Sequence, residues 1–417
     1  MISDQETLFT PDGSVGFDIF RRAGQVARNG DQPVKKALHI AAAVLLAAAG
    51  VGLLVFIAHL NNASQRDFIG YWATGQQLVH GGDPYDGAAI LQVQQSAGFN
   101  RTEPLIMRNM PVAFFLAWPL GYFSANSGMI VWFIALLLSC VGSIRMIWTL
   151  HARPNNSLHL LGYCFAPVMA CLMFGQIGLF LLLGVVLFLT FQKDWPFLAG
   201  VSLLVLALKP HIFLPFAVAL AAWMLATKAY RMIAGAAAAL VASLLFAYVL
   251  DPHAWSQYSQ MMKTGGALDE MIPVLSAYFR FLVDRHAVWL QFLPQGCACA
   301  WALWYFWTRR ARWDWLDHGL VVLLVGSMCT PYAWFTDESL LLPAVLAGVY
   351  RADASKRSIV PFGIIAGAAI IELVAHVPII QFYFLWTTPA WLGWYLYATG
   401  RIGAGTAKTA ITDLAQG

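Results

Sequence analysis

Charge is what this sequence has least of. Asp, Glu, Lys and Arg make up 11% of its 417 residues, where soluble domains carry roughly 25%. Hydrophobic residues make up 59%, and the mean hydropathy is +0.65. A water-soluble fold of this composition would lack the polar surface to cover its core, which excludes a cytosolic globular enzyme, a disordered chain and a fibrous repeat. Cysteine is sparse as well: Cys140, Cys164, Cys171, Cys297, Cys299 and Cys329 all lie in or beside apolar segments. None has CxxC spacing and none has a histidine at metal-ligand spacing, so they read as small buried hydrophobes. The net charge of +4 is small and its basic residues are scattered, which excludes a nucleic-acid footprint. There is no short cleavable apolar core in residues 1–36, no glycine-rich nucleotide fingerprint on a strand–helix unit, and no internal repeat.

What the sequence does have is a succession of apolar runs: 37–60, 128–150, 158–174, 176–192, 195–208, 211–226, 232–250, 286–308, 316–331, 335–350, 358–377 and 380–399. Runs near 20 residues match a hydrocarbon core about 30 Å thick. They predict an all-α polytopic membrane protein with about twelve transmembrane helices. The expected organisation is a cytoplasmic N-terminal segment 1–36, an integral membrane domain 37–400 and a cytoplasmic tail 401–417. A further run, 111–123, begins at Pro111 and is too short to cross as a helix; it is expected to re-enter or to lie flat on the outer face.

Orientation follows from Lys and Arg. With the N-terminus inside, eighteen of the 25 basic residues fall on the inner side, among them Arg153, Lys193, Lys228, Arg309, Arg351 and Arg401. Seven remain outside: Arg66, Arg101, Arg108, Lys209, Lys263, Arg280 and Arg285. Inner loops are then short and basic, while the two outer loops, 61–110 and 251–285, are long. Chemistry is therefore sought on the outer face, where a rigid scaffold presents long loops.

Several residues there call for an explanation. The first outer loop reads RDFIGYWATGQQLVHGGDPYD, Arg66 to Asp86. Asp67 follows directly on the first membrane span and opens an amphipathic helix expected to lie at the interface, with Tyr71 and Trp72 at headgroup level. Two readings of Asp67 stand: a helix N-cap or a functional acid. Asp83, in HGGDPY, reads as a turn residue. Lys209 sits between two apolar runs with Pro210 and His211 beside it. A cation at that depth costs several kcal/mol unless it is paired, snorkels or faces a wet cavity. It is either a snorkelling anchor or a point charge aimed at a phosphate. Asp337 and Glu338 interrupt another apolar stretch, and three readings are open: a structural pair with Lys209, hydrogen bonds to sugar hydroxyls, or a divalent cation. Gln176 after Gly175 forms a polar turn. Glu372 with His376 one turn later reads as structural. Tyr71, Trp72, Tyr85, Trp255, Tyr258 and Tyr278 offer faces for sugar rings, although membrane belts enrich the same residue types.

Five motifs, DFIGYWATGQQLVHGGDPYD, NMPVAFFLAWPL, GQIGLFLLLGVVL, LLVLALKPHIFLPF and TPYAWFTDESLLLPAV, occur in that order. They resemble glycosyltransferase family 87, over about residues 38–350. One departure is the Pro331-Tyr332 pair, where the family often has Pro-His. The resemblance implies the C-type glycosyltransferase fold, with amphipathic helices in the outer loops. It also implies a polyprenyl-phosphate sugar donor, with mannose as the sugar of the best-known members. The acceptor is a lipid or glycan reached from the outer face of the cytoplasmic (inner) membrane, and Asp67 is the catalytic base. Lys209, with His211 and Arg108, would hold the donor phosphate. Tyr71, Trp72, Asp83, Tyr85, Gln176, Tyr332 and Asp337 are candidate substrate contacts. The reaction would invert the anomeric centre. No cofactor is required and no metal site is assigned, although Asp67 and Asp337 are the pair that would hold a divalent ion. The expected partners are the donor, the acceptor and the bilayer, with no nucleic acid. A multi-span transporter or lipid flippase is the alternative, and a polysaccharide polymerase or ligase using the same donors is a third.

Overall fold

Apolar side chains and the positions of proline decide where the chain coils. The computed structural model describes residues 66–264, 272, 274–375 and 381–401, all within one compact unit, Leu54–Gly417. The N-terminal segment 1–36, the expected first span 37–60, His376 and the tail beyond Arg401 lie outside the described residues. Among the described residues every regular element is helical. In chain order the α-helices used below are α1 (Phe68–His80), α2 (Gly87–Ser96), α3 (Ala125–Leu150), α4 (Ala166–Phe174), α5 (Gly178–Phe191), α6 (Pro196–Ser202), α7 (Val205–Leu208), α8 (Pro210–Ala226), α9 (Tyr230–Leu250), α10 (Ala254–Thr264), α11 (Leu275–Val283), α12 (Leu293–Arg309), α13 (Leu320–Met328), α14 (Leu342–Ala354), α15 (Val360–Ala375) and α16 (Thr387–Ala398). Proline opens α6, α8, α12 and α14 in their first turn. There its missing N–H costs nothing and its fixed φ suits the helix.

Two helices, α3 and α9, are long and apolar enough to cross a membrane on their own. Their outward faces are bare hydrocarbon: Ile130, Ile134, Leu138 and Val141 on α3, and Val241, Leu245 and Val249 on α9 are exposed. Spacings of three and four put each set on one stripe, which in water would be a large unsatisfied apolar patch. The other apolar runs appear as shorter helices, several of them broken, because Pro, Gly and the buried polar residues interrupt the backbone ladder.

The run 111–123 forms no single long helix. Pro111–Ala113 and Trp118–Tyr122 are 3₁₀ turns around one α-turn, Phe114–Ala117. Even a regular α-helix of that length would span only about 20 Å. It packs instead against α1. A Cβ on Gly75 would stand 2.2 Å from the Ala117 carbonyl oxygen, so only glycine allows the approach. The helix α1 differs from expectation. Phe68, Ile69, Tyr71, Trp72, Ala73 and Thr74 are all buried, so it is enclosed by protein on every side through its first two turns rather than lying half-exposed at an interface. In the long loop 251–285 the amphipathic helices are α10 and α11, which expose Trp255, Met262, Leu282 and Val283.

Contacts between helix ends fall into two sets. One gathers Asp67, Gln176, Lys209, Thr330 and Asp337. The other gathers Asp317, Arg351, Asp353, Tyr397 and Arg401. The chain runs from the first to the second along α3 and α14, and back along α4 and α13. Arg351, Arg357 and Arg401, all expected inside, meet at the second end.

Candidate active site

The sequence before α1 places Asp67 at the N-cap position, but its carboxylate does not cap. The residue is already helical in φ and ψ, and the side chain takes no hydrogen bond from the helix. Its Oδ2 instead accepts from Gln176 Nε2 at 2.7 Å. The other end of that amide is fixed too: Tyr71, one turn along α1, donates its hydroxyl to Gln176 Oε1 at 3.2 Å. The Tyr71 ring stacks on Trp132 of α3, with centroids 5.2 Å apart, and Trp132 Nε1 donates to the Gly175 carbonyl at 2.7 Å. Gly175 closes α4 with φ of +73°, and a Cβ there would stand 2.8 Å from Phe68 Cβ. A left-handed turn pressed against the helix start requires glycine, and it is this turn that delivers Gln176 to Asp67. Burial pushes the Asp67 carboxyl above the ordinary carboxylate range; the Gln176 hydrogen bond and the nearby positive charges of Arg101 and Lys209 pull the other way.

The second half of the site forms where α7 ends and α8 begins. Lys209 leaves helical geometry, with φ −143° and ψ 70°, because Pro210 follows and disfavours helix in the residue before it. The break frees the side chain, whose Nζ lies 2.6 Å from Asp337 Oδ1. Asp337 Oδ2 in turn accepts from the Trp334 backbone N–H at 3.0 Å. Of the readings open in the sequence, the structural Lys209–Asp337 pair is therefore present. Both members are buried, Lys209 at 9% and Asp337 at 1% exposure. Two N–H groups of the ammonium remain beyond the one given to Asp337.

Around this pair stand Tyr332, Arg108 and His211. The Tyr332 hydroxyl accepts from Trp334 Nε1 at 2.9 Å and from Arg108 Nη1 at 3.4 Å. The His211 ring meets the Tyr332 ring edge-on at 5.7 Å, and His211 Nε2 is buried without a hydrogen-bond partner. Lys209, His211, Arg108, Tyr332 and Asp337 are thus brought together. Both long loops, 61–110 and 251–285, are tied to the same place. Asn109 Nδ2 donates to the Leu208 carbonyl at 2.9 Å, and Gln291, itself held by Arg280 at 2.9 Å, donates to the Pro331 carbonyl at 2.6 Å.

Trp72, Tyr85 and Asp83 have other occupations. Trp72 is buried and gives its indole N–H to the Phe123 carbonyl. Tyr85 is 4% exposed, packed on Phe114 and Tyr258, with its hydroxyl on the Asn109 carbonyl. As folded here, neither presents an open ring face to a sugar: a buried Tyr or Trp spends its apolar body on packing and its polar tip on a backbone acceptor. Asp83 accepts from the Tyr85 N–H at 2.8 Å, as a turn-closing Asp does. Glu372 accepts from Trp386 Nε1. Glu338 takes hydroxyl donors from Thr387 at 2.6 Å and Thr388 at 2.9 Å. Those threonines, and Arg101 beside Asp67, were not singled out in the sequence. Thr-Thr at the start of an apolar helix carries no signal until the distant acid it serves is known.

A family model, that of glycosyltransferase family 87, matches residues 109–331, more than half of the chain. The matched stretch holds Gln176, Lys209 and His211; Asp67, Arg108, Tyr332 and Asp337 lie outside it. Comparison with curated proteins and with solved structures found no match. The family transfers sugars, so the protein is an enzyme with a sugar donor and an acceptor, and the transporter reading falls away. On that match, the chain belongs to glycosyltransferase family 87.

Proposed function

We propose that this enzyme is a multi-pass protein of the cytoplasmic membrane that moves a hexose from a polyprenyl phosphate to a lipid or glycan acceptor on the outer face. Mannose is the sugar suggested by the family resemblance. The organisation is the C-type fold with about twelve crossings, flanked by cytoplasmic segments 1–36 and 401–417. The alternation of helix ends and the basic character of the second end support this orientation.

The observation that carries the mechanism is the state of Asp67: an acid at a helix start that does not cap, held through one oxygen by a neutral amide. Its other oxygen takes the proton of an acceptor hydroxyl as that oxygen attacks the anomeric carbon. The bond between the anomeric carbon and the phosphate oxygen breaks on the opposite face, so the configuration inverts and polyprenyl phosphate leaves. Charge developing on that phosphate is met by the free N–H groups of Lys209, by the Arg108 guanidinium and by His211. Each fixed contact of this kind is typically worth about 10²–10³ in rate. Asp337 holds the Lys209 ammonium in place, and Gln176 and Tyr71 hold Asp67. The reaction as written needs no metal or cofactor, since Lys209 supplies the positive charge. A purified preparation given radiolabelled polyprenyl-phosphate sugar and envelope acceptors should transfer label without an ion gradient. Failure to transfer from any lipid-linked sugar, with transfer from a nucleotide sugar instead, would overturn the proposal.

A further inference from the structure

The end of the bundle remote from Asp67 holds a groove of about 500 Å³, lined by α12, α13 and α16 with His318 and Arg401 at its mouth. Its construction is regular. The helices α12 and α16 both pack on α13. Each of the three contributes residues four apart, which stand on one helix face: Trp301, Tyr305 and Arg309 from α12, Val321 and Val325 from α13, Leu392 and Leu396 from α16. The groove therefore has an apolar floor and walls. At about 1.5 Å per residue it runs roughly 12 Å along α12 before it ends in charge.

That charge is unbalanced. Asp317 is shared by Arg351 and by Arg401, whose Nη2 lies 2.6 Å from Asp317 Oδ2. One carboxylate for two guanidinium groups leaves one positive charge over. Arg309 lies over the Tyr305 ring, 4.1 Å from the centroid, with no carboxylate partner among the described residues; Asp314 also acts on His318 there, so Arg309, Arg351 and Arg401 against Asp314 and Asp317 leave one net positive charge. Both Arg309 and Arg401 act electrostatically on Tyr305 and on His318, so the two cations converge on the mouth. Just outside, Trp304 and Trp307 are exposed, and Arg310 covers the Trp307 ring at 4.3 Å. Exposed tryptophan with arginine marks the headgroup level of a bilayer.

An apolar trough closing in two arginines and a net positive charge at headgroup level has the shape and charge of one class of molecule. We propose that this groove binds a glycerophospholipid with an anionic headgroup, its acyl chain against Val321, Val325, Leu392 and Leu396, its phosphate between Arg309 and Arg401. By the orientation above this is a lipid of the cytoplasmic leaflet. The site is separate from the Asp67 chemistry; it rests on the membrane embedding proposed above, and its leaflet on the proposed orientation.

The test is a titration of the purified enzyme in a neutral detergent with phosphatidylglycerol and with phosphatidylcholine of identical chains, with bound lipid counted by native mass spectrometry. Phosphatidylglycerol should be retained preferentially. Arg309→Gln, at an exposed position whose contacts are the Tyr305 ring and the Thr308 hydroxyl on its own helix, should weaken its binding about fivefold, the effect of one basic residue worth ~1 kcal/mol at a lipid surface. Val325→Trp, which fills the floor, should abolish retention. Glycerol 3-phosphate, which carries the charge without the chain, should not compete at equal concentration. Equal retention of the two lipids, an unchanged titration for Arg309→Gln, or full competition by glycerol 3-phosphate would each overturn the proposal. The first two remove charge recognition, and the third reduces the site to an anion pocket. Arg309→Gln decides the matter even if Val325→Trp fails to fold.

Discussion

The two ends of the bundle both place an acid among cations, and they do opposite things with it. At one end Asp317 is answered by Arg351 and Arg401, with the Tyr395 hydroxyl donating to the Asp317 carbonyl at 3.2 Å and receiving Arg351 at 3.0 Å. At the other end the Asp67 carboxylate is hydrogen-bonded, among the described residues, by the neutral Gln176 amide; Arg101 and Lys209 act on it as charges without an ion pair to it, and Lys209 is held by a different acid, Asp337. A carboxylate saturated by guanidinium groups is a poor proton acceptor, because each pairing stabilises the charged form. A carboxylate held by one neutral donor keeps one oxygen for chemistry and a basicity raised by burial. The comparison teaches that acid–cation pairing at the Asp317 end ties helix ends together, whereas the Asp67 carboxylate, left without such a pair, has the form that the proposed base requires.

The sharpest way to break this contrast is Asp67→Asn. Asn caps a helix about as well as Asp, and Asp67 does not cap in any case, so folding should be unaffected. As a general base Asn fails, and turnover should fall by about 10²–10⁴, with donor affinity retained because the loss belongs to the transition state. Single-turnover transfer with separately measured donor binding reads both. Normal turnover in this variant would remove Asp67 from the mechanism.

Lys209→Met comes next, with an expected loss of about 10²–10³ in transfer. The single variant is ambiguous, since it strands buried Asp337 and a stranded buried charge can cost about 3–5 kcal/mol of stability. The double variant Lys209→Met with Asp337→Asn removes both charges. If Lys209 serves the donor phosphate, the double variant should regain thermal stability and remain inactive. Recovery of transfer along with stability would make the pair purely structural.

How far the sequence reached follows from what each residue announces locally. The all-helical class was legible because apolar runs and prolines act within one turn. Lys209 was legible as an anomaly, since a cation between two apolar runs needs a partner; which of several partners it takes depends on a residue 128 positions away. The helix α1 was misplaced at an interface because its pattern of Tyr, Trp and Gly fits a half-exposed helix as well as one enclosed by the segment 111–122. Gln176 was legible as a polar turn, but its bond to Asp67 arises from Gly175 pressing on Phe68, a contact that no local spacing encodes.

Gln176→Leu sharpens the contrast through pH. Asp67 acts as a base only when ionised, so transfer should fall as pH drops through its raised pKa. Gln176 stabilises the ionised form; removing its amide should raise that pKa further. The acid limb of the kcat/KM profile should therefore move to higher pH, with a loss of roughly tenfold at neutral pH, as one hydrogen bond to a charged group is worth about 1.5–3 kcal/mol. An acid limb that stays where it was would mean that the amide does not act on the titrating group.

The smallest effect on transfer is expected at the opposite end, from Asp317→Asn. The substitution keeps volume and leaves Arg351 and Arg401 half-exposed, where water and lipid phosphates can answer them, so the chemistry at Asp67 should be untouched. What is lost is charge-assisted hydrogen bonding between helix ends that otherwise meet through Asp317: Leu316 accepts from Arg351 at 3.1 Å, and Arg401 follows α16. Such bonds are worth about 1.5–3 kcal/mol in favourable settings, and the partial exposure of these side chains places the value toward the lower end. A thermal melt in detergent should drop by a few degrees while kcat and KM hold. High salt should narrow the gap between variant and parent, since exposed charge pairs are screened. A fall in kcat as large as that of Asp67→Asn would erase the distinction between the two ends, because an acid already given to two arginines would then be acting on the reaction.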